Sequence, residues 1–376
     1  MATLKTILVT GSGGFLGKNL IQALSTRDDI RVIEHEVDDS RDDLDKALRV
    51  ADVVVHLAGV NRPESTDEYM TGNAEFTKSM CDMLRAANRS PKIIMSSSIQ
   101  AELDNPYGVS KRLAEEELNN FAEDTGAEVV VFRFKNIFGK WSRPNYNSVV
   151  ATFCHNIARD LPITVTDPNK RLELVYVDDV VSALLDEIDS KQTIPGFRFA
   201  EEIEGFAVTL GDLADTIRAF RESRKTCMLP EFSDRFTACL YATYLSYLDD
   251  NDLGYDLEQK TDARGALAEF IKSPHIGQIF VSRTKPGITR GNHYHHTKVE
   301  KFFVVEGTGI VRLRHLRTGE MVEIKVSGED FRVVDIPPGY THSIENVGPT
   351  DMVVIFWASE VFDSNRPDTY YCEVNK

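Results

Sequence analysis

Thr6-Ile7-Leu8-Val9-Thr10 runs directly into Gly11-Ser12-Gly13-Gly14-Phe15-Leu16-Gly17, and no other junction in the chain restricts its fold as tightly. The first five residues are apolar at the centre and β-branched for most of their length, which predicts a buried strand. Glycines at 11, 14 and 17 let the backbone turn sharply, approach a pyrophosphate and pack the following helix on the sheet, with the phosphates at the helix N-terminus. Leu20, Ile21 and Leu24 give that helix one apolar face. A lone glycine set is weak, but strand, turn and helix in this order predict the opening unit of a dinucleotide-binding, Rossmann-type doubly wound parallel sheet. Short apolar runs at Val53–Gly59, Lys92–Ser96 and Glu128–Arg133 each follow a helical stretch, so the α/β pattern extends to about residue 190.

From about Asp262 onward the helical period disappears. Short alternating strands with Gly and Pro turns replace it, as in Gly309–Arg314 and Met352–Trp357, so the second part is expected to be all β. The acidic, Tyr-rich segment Tyr244–Tyr255 is the expected join, giving domains at 1–245 and 246–376, each long enough to bury its own core. A formal charge of -16, from 43 Lys+Arg against 59 Asp+Glu, lies along the chain with no basic stripe and disfavours nucleic acid as a partner. Cys81, Cys154, Cys227, Cys239 and Cys372 are odd in number, lack paired Cys-x-x-Cys spacing, and are expected to be free thiols in a reducing compartment. No signal peptide or membrane-length apolar run is present, so a cytoplasmic protein without a membrane partner is expected.

Within the β part, Gly287 is followed after five residues by His293-Tyr294-His295, then Glu300 and Gly307, and later by Pro337-Pro338-Gly339-Tyr340-Thr341-His342 and Asn346. Alternation on a strand puts His293 and His295 on one face, and neighbouring strands can deliver Glu300 and His342 to the same point. Three imidazoles and a carboxylate suit Zn²⁺ or another divalent transition metal. Six of the nine histidines lie after residue 270, so the cluster is no by-product of a His-rich chain. The spacing resembles the two motifs of the cupins, which implies a jelly-roll β-barrel. It departs from them in the longer interval from Gly328 to Pro337.

In the α/β part, Asn105 can cap a helix and Pro106 suits its first position, which sets Tyr107 and Lys111 one turn apart on the same face. A phenol beside an ammonium loses its proton more readily, and the same Lys can hold a ribose hydroxyl, so the pair can protonate a carbonyl oxygen as a nicotinamide delivers hydride. The preceding strand ends in Ser96-Ser97-Ser98, a source of the hydroxyl that polarises that carbonyl. Together with His56-Leu57-Ala58-Gly59, Asn73, Arg133-x2-Asn136-x2-Gly139 and Val175-Tyr176-Val177-Asp178-Asp179, these residues resemble the extended, sugar-nucleotide-modifying branch of the short-chain dehydrogenase/reductases. The resemblance implies Ser98 (or Ser97), Tyr107 and Lys111 as the catalytic trio. It implies cofactor contacts at Gly11, Gly14, Phe15, Leu16, Gly17, Leu57, Ala58, Gly59 and Lys111, and substrate contacts at Asn136, Tyr146 and Asn147. Ser98 and Tyr107 stand only nine residues apart, closer than is usual in that family, which leaves open which Ser faces the carbonyl.

The two parts together, with the phrases His56–Glu64, Ser96–Ala101, Gly139–Ser148 and Asn292–Lys298, are similar to a family of bifunctional capsular-polysaccharide enzymes. That resemblance implies a homodimer acting on a UDP-sugar. The cupin epimerises a 4-keto sugar nucleotide at C3, and the reductase then reduces C4 with NADPH, giving UDP-2-acetamido-2,6-dideoxy-L-talose. The chemistry is sound, because a C4 ketone acidifies the C3 hydrogen and a metal can stabilise the enolate or merely fix the barrel. Asp262-x-Arg264-Gly265 and Arg290–His293 also resemble the deoxysugar 3,5-epimerases, whose base stands at the position of His293; if His293 is a ligand, His296, Tyr294 and Tyr340 are the alternatives. Glu34, Glu36, Asp38 and Asp39 follow the second strand and favour NADH, while the resemblance favours NADPH, with Arg41 or Arg62 in reach of a 2′-phosphate. Two other functions fit some of these residues: an NAD-retaining sugar-nucleotide 4-epimerase with a structural cupin, and a non-enzymatic sensor, against which the intact Tyr107/Lys111 pair argues.

Overall fold

A computed structural model describes residues 4–375. The chain gathers into two compact units: residues up to Arg218 with Arg235–Asp249, and Ala219–Asp234 with the residues from Asp250 onward. The helix Leu210–Thr226 thus begins in one unit and ends in the other.

The first unit is built on a six-stranded parallel sheet, in spatial order Ile30–His35, Lys5–Thr10, Val53–His56, Lys92–Ser98, Glu128–Phe134 and Gly196–Phe199. Both faces are covered, which is why the strands read as continuous apolar runs. Ile7, Val9, Val55 and Val130 pack with Leu20, Leu24, Val180 and Leu184 on one side, and Leu8, Val54, Ile93 and Val129 with Leu48, Met80, Leu84 and Phe121 on the other. The second strand in sequence is the sheet edge, so the strand order reverses beside the first strand, and the crevice outside the strand ends at that reversal is where α/β sheets take ligands. The helix Pro106–Thr125 starts as expected, with the Asn105 side chain accepting from the Gly108 amide at 2.8 Å, and ends at Gly126 in the left-handed conformation.

The second unit consists of two antiparallel sheets. One runs in the order Gln259–Asp262, Gly265–Ser273, Gly277–Thr284, Met352–Ala358, Glu300–Glu306, Val333–Ile336; the other runs Met321–Ser327, Thr308–His315, Tyr340–Asn346, Thr289–Tyr294, Tyr370–Tyr371. Phe302, Val304, Val354 and Phe356 of the first sheet meet Val311, Leu313 and Ile344 of the second in one core. The long interval from Gly328 to Pro337 forms a turn ahead of Val333–Ile336, which pairs with Glu300–Phe303. Asn346 is buried, donating to the carbonyls of Thr284 and Thr350 at 2.9 and 2.8 Å, so it holds two loops together.

Two candidate active sites

The first site lies at the carboxyl ends of the parallel strands. The Gly11 amide donates to the His35 carbonyl at 2.8 Å, and a Cβ on Gly17 would sit 2.2 Å from the Gly11 carbonyl oxygen, so only glycine lets the helix Phe15–Leu24 start this close to the turn. Leu57-Ala58-Gly59 lies against the same turn: the Leu57 amide donates to Thr10 O at 3.0 Å, and a Cβ on Gly11 would meet Ala58 Cα at 2.8 Å. Phe15 and Leu16 open the helix and are half-buried. Glu36, just past the edge strand, accepts from the Ser12 hydroxyl at 2.6 Å and from the Gly13 amide. A cavity of about 780 Å³ beside Ser12 and Gly13 is lined further by Lys18, Arg143 and Arg159, with Glu34 and His155 among them, a set that sequence spacing gave no means of finding.

Ser98 and Tyr107 meet here by a side-chain hydrogen bond, and Lys111 follows Tyr107 by one turn of the same helix. Lys111 is buried, donates to the Ser96 carbonyl at 3.1 Å, and is pushed down to about 8 by burial, which Glu115 partly offsets. Burial raises the Tyr107 phenol, and its hydrogen bond with Ser98 works in the opposite direction. Ser97 faces elsewhere, its hydroxyl donating to Glu115 at 2.5 Å, and Glu115 also pairs with Arg133. Of the two serines left open by the sequence, Ser98 is the one at the phenol. Asn136 and Asn147 are exposed and reach the trio by no hydrogen bond, while the Tyr146 hydroxyl donates to the Arg62 carbonyl at 3.3 Å.

A directional chain of hydrogen bonds lies beneath the trio. Thr77 Oγ1 donates to the Asn73 carbonyl at 2.7 Å, so at 3.0 Å from His56 it must accept from Nε2–H; the other ring nitrogen, Nδ1, then accepts from Thr10 Oγ1 at 2.7 Å. Burial, followed by the Lys111 charge, pushes His56 down to about 3, which keeps the ring neutral. The Asn73 side chain clamps Val60, accepting from its amide at 2.9 Å and donating to its carbonyl at 3.0 Å, and also donates to Ser110 at 2.9 Å. A Cβ on Gly59 would stand 2.8 Å from Asn73 Oδ1 and 3.0 Å from Lys111 Nζ, so the loop is fitted against both. Asn73 reaches inward from a widened helical turn, Met70–Glu75, a feature often found at functional sites.

In the second unit His293, His295, Glu300 and His342 offer one ligand atom each, all within 4.8 Å of one another. His293 and His342 are opposed across paired strands, and Glu300 Oε2 lies 3.2 Å from His295 Nε2 and 3.1 Å from His342 Nε2. Neither contact is aligned as a hydrogen bond, which leaves His295 Nε2 and both His342 ring nitrogens buried without a partner. Orphaned nitrogens facing a carboxylate are what a divalent cation would satisfy, so the donor set fits a metal. Burial alone would raise the Glu300 carboxyl, but His295 and His342 hold it well below the usual carboxylate range. Tyr294 and His296 both make ring contacts with Tyr370, and strand alternation puts Tyr294 on the face opposite His293, while His296 lies exposed past the strand end. Tyr340 shares the face of His342 and packs against the core beside His315, 4.9 Å away between ring centres.

Residues 7–196 match the NAD dependent epimerase/dehydratase family, and residues 260–370 match the polysaccharide biosynthesis C-terminal domain. A Pseudomonas aeruginosa protein described as UDP-2-acetamido-2,6-beta-L-arabino-hexul-4-ose reductase is 44% identical over 98% of this chain and 99% of its own. The crystal structure of the capsular polysaccharide assembling protein CapF from Staphylococcus aureus superposes with a TM-score of 0.90 at 48% identity, over 98% of this chain and 99% of that one. The chain belongs to the CapF family. A CapF structure with the inhibitor 3-isopropenyl-tropolone is similar at 44% identity, over 98% of this chain and 99% of that one, with a TM-score of 0.86. The epimerase/dehydratase match implies a nicotinamide cofactor. No helix among the described residues is long and apolar enough to cross a membrane.

Proposed function

We propose that the chain is a cytoplasmic, homodimeric bifunctional enzyme that epimerises a UDP-4-keto-6-deoxy-N-acetylhexosamine at C3 in a cupin-type second unit and reduces C4 in the first. The product is UDP-2-acetamido-2,6-dideoxy-L-talose. The observation that carries this reading is the pairing, on one chain, of the Ser98/Tyr107/Lys111 trio with the His293/His295/Glu300/His342 cluster. The name of the 44%-identical relative, a 4-ulose reductase, supports the second step.

In the reduction, a bound nicotinamide supplies the hydride. Tyr107 hands its phenolic proton to the C4 oxygen, Ser98 orients that oxygen, and the Lys111 cation stabilises the phenolate left behind. Asn136, Tyr146 and Asn147 bind the sugar nucleotide. For the epimerisation, His293, His295, Glu300 and His342 would hold a metal, zinc by preference, which would supply Lewis acidity. Inversion takes the C3 proton from one face and returns one to the other, and Tyr340, on the ligand face, is our choice for one of those two groups. The tropolone inhibitor of a CapF relative supports a metal, since its adjacent hydroxyl and ketone form a chelating pair.

NADPH is the cofactor that the resemblance favours, whereas Glu36 on the glycine turn favours the free 2′-hydroxyl of NADH. One experiment tests the whole scheme. The keto sugar is incubated in D₂O with no cofactor, with NADPH or with NADH, and followed by NMR. Deuterium at C3 without cofactor and a C4 alcohol with one of the two are expected. A cofactor that co-purifies and is never consumed, with inversion at C4, would instead identify a 4-epimerase.

A further inference from the structure

We infer that Asp368 is the residue that sets the metal centre, acting from outside the ligand set through two groups at once. The inference rests on the proposed metal site and assigns to it a positioning residue that the sequence motifs do not contain.

The Asp368 main-chain carbonyl lies 2.5 Å from His295 Nδ1. A carbonyl can only accept, so Nδ1 carries the proton and Nε2, the nitrogen facing Glu300, keeps its lone pair for a cation. The Asp368 carboxylate meanwhile takes three consecutive backbone amides, His296 at 2.9 Å, Thr297 at 3.0 Å and Lys298 at 2.9 Å, together with the Thr297 hydroxyl at 3.0 Å. One residue therefore fixes both the tautomer of a ligand and the loop that leads from His295 towards Glu300.

Two observations argue that this arrangement is built for the site. Asp368 has φ of +36°, a conformation that costs a non-glycine residue energy and persists only where its surroundings impose it. The segment around it is tied to the ligand-bearing strands: Tyr370 and Tyr371 pair with Tyr294 and His293, the Cys372 amide donates to Asn292 O at 2.8 Å, and Lys298 Nζ donates to Pro367 O at 2.8 Å. By contrast, Asp363 on the same segment is exposed and bonds only within its own turn, to Asn365 N at 2.8 Å and Arg366 N at 3.1 Å.

The test compares wild type, Asp368→Ala, Asp368→Asn and Asp363→Ala. Cobalt(II) replaces the native metal, with affinity read by chelator competition, coordination by the visible spectrum and melting temperature measured with and without metal. Asp368→Ala should bind cobalt about 10–100-fold more weakly and show an altered spectrum. Its melting temperature should fall further with metal than without. Both Asp368 variants keep the main-chain carbonyl and differ in the side-chain oxygens that hold the loop and, through it, place that carbonyl; Asp368→Asn, which keeps one acceptor oxygen, should lie between, and Asp363→Ala should match wild type. If wild type takes up no cobalt, the metal site itself is wrong. Should wild type bind it while Asp368→Ala binds with equal affinity and an unchanged spectrum, or loses the same stability with and without metal, the positioning role is overturned.

Discussion

The two sites differ in what they leave unsatisfied. Around Tyr107 and Lys111 the buried polar atoms have partners within the chain: Lys111 rests on a carbonyl, Asn73 uses both ends of its amide, and His56 passes its hydrogen bonds in one direction. Around Glu300 three imidazole nitrogens are buried with no hydrogen bond at all. Beside the trio the chain meets its own hydrogen-bonding needs, whereas the donors of the second cluster face one another unmet, an arrangement that a cation would satisfy. Sequence motifs treat the two alike.

The sharpest way to break this comparison is at the phenol. Tyr107→Phe should lower C4 reduction by about 10²–10⁴-fold while C3 deuterium exchange continues at the wild-type rate. A loss of both would mean that the two activities share one site. His342→Ala comes next, because it removes a ligand and leaves Glu300 buried. If the metal is present at 100–1,000 times its Kd, the second unit should lose about 3–4 kcal/mol of stability, seen as a lower melting temperature, together with C3 exchange, while NAD(P)H binding stays unchanged.

A smaller effect is expected at His56. Replacement by Phe strands the Thr10 hydroxyl and removes the Nε2–H that Thr77 accepts, at a cost of about 1–3 kcal/mol, and should reduce kcat more than the cofactor KM because Asn73 and Gly59 shift beside Lys111. The same residue gives the first unit a pH dependence. The folded state holds His56 at about 3, against 6.5 for the free group, so the unfolded chain binds the extra proton first. Stability from the neutral ring is complete above pH 6.5 and is lost as pH falls from 6.5 towards 3. Denaturant midpoints across that window should flatten in His56→Phe relative to wild type, and an unchanged slope would remove His56 from the account. Smallest of all is the contrast between the serines. Ser98→Ala should slow reduction about tenfold or more, and Ser97→Ala should leave reduction unchanged and lower stability by only about 0.5–1.5 kcal/mol, since it removes one hydrogen bond from Glu115 while Arg133 still holds both carboxylate oxygens.

Much of this was legible in the residues themselves. The glycine turn, the Tyr107/Lys111 pair one helical turn apart and the alternating His293/His295 all depend on spacing along one strand or helix, and spacing is what a sequence records directly. What escaped depends on which strands become neighbours. Ser97 and Ser98 could not be told apart until Glu115 was seen to take one of them. The exclusion of Tyr294 and His296 from the ligand face needed Tyr370, some 75 residues away in the chain, to show where their rings lie. Asp368 carries no motif because it works through its carbonyl as much as through its carboxylate, and any residue has a carbonyl.

The strand Ile30–His35 has one further consequence. As the rim of the parallel sheet, it turns a row of unpaired amides and carbonyls towards solvent, the surface on which a second chain could template itself. Arg31 and Glu34 are exposed along it, so charges of both signs stand where a foreign strand would have to lie. Exchanging both for valine should leave a longer apolar rim on this edge, and light scattering of that variant against wild type would read the change.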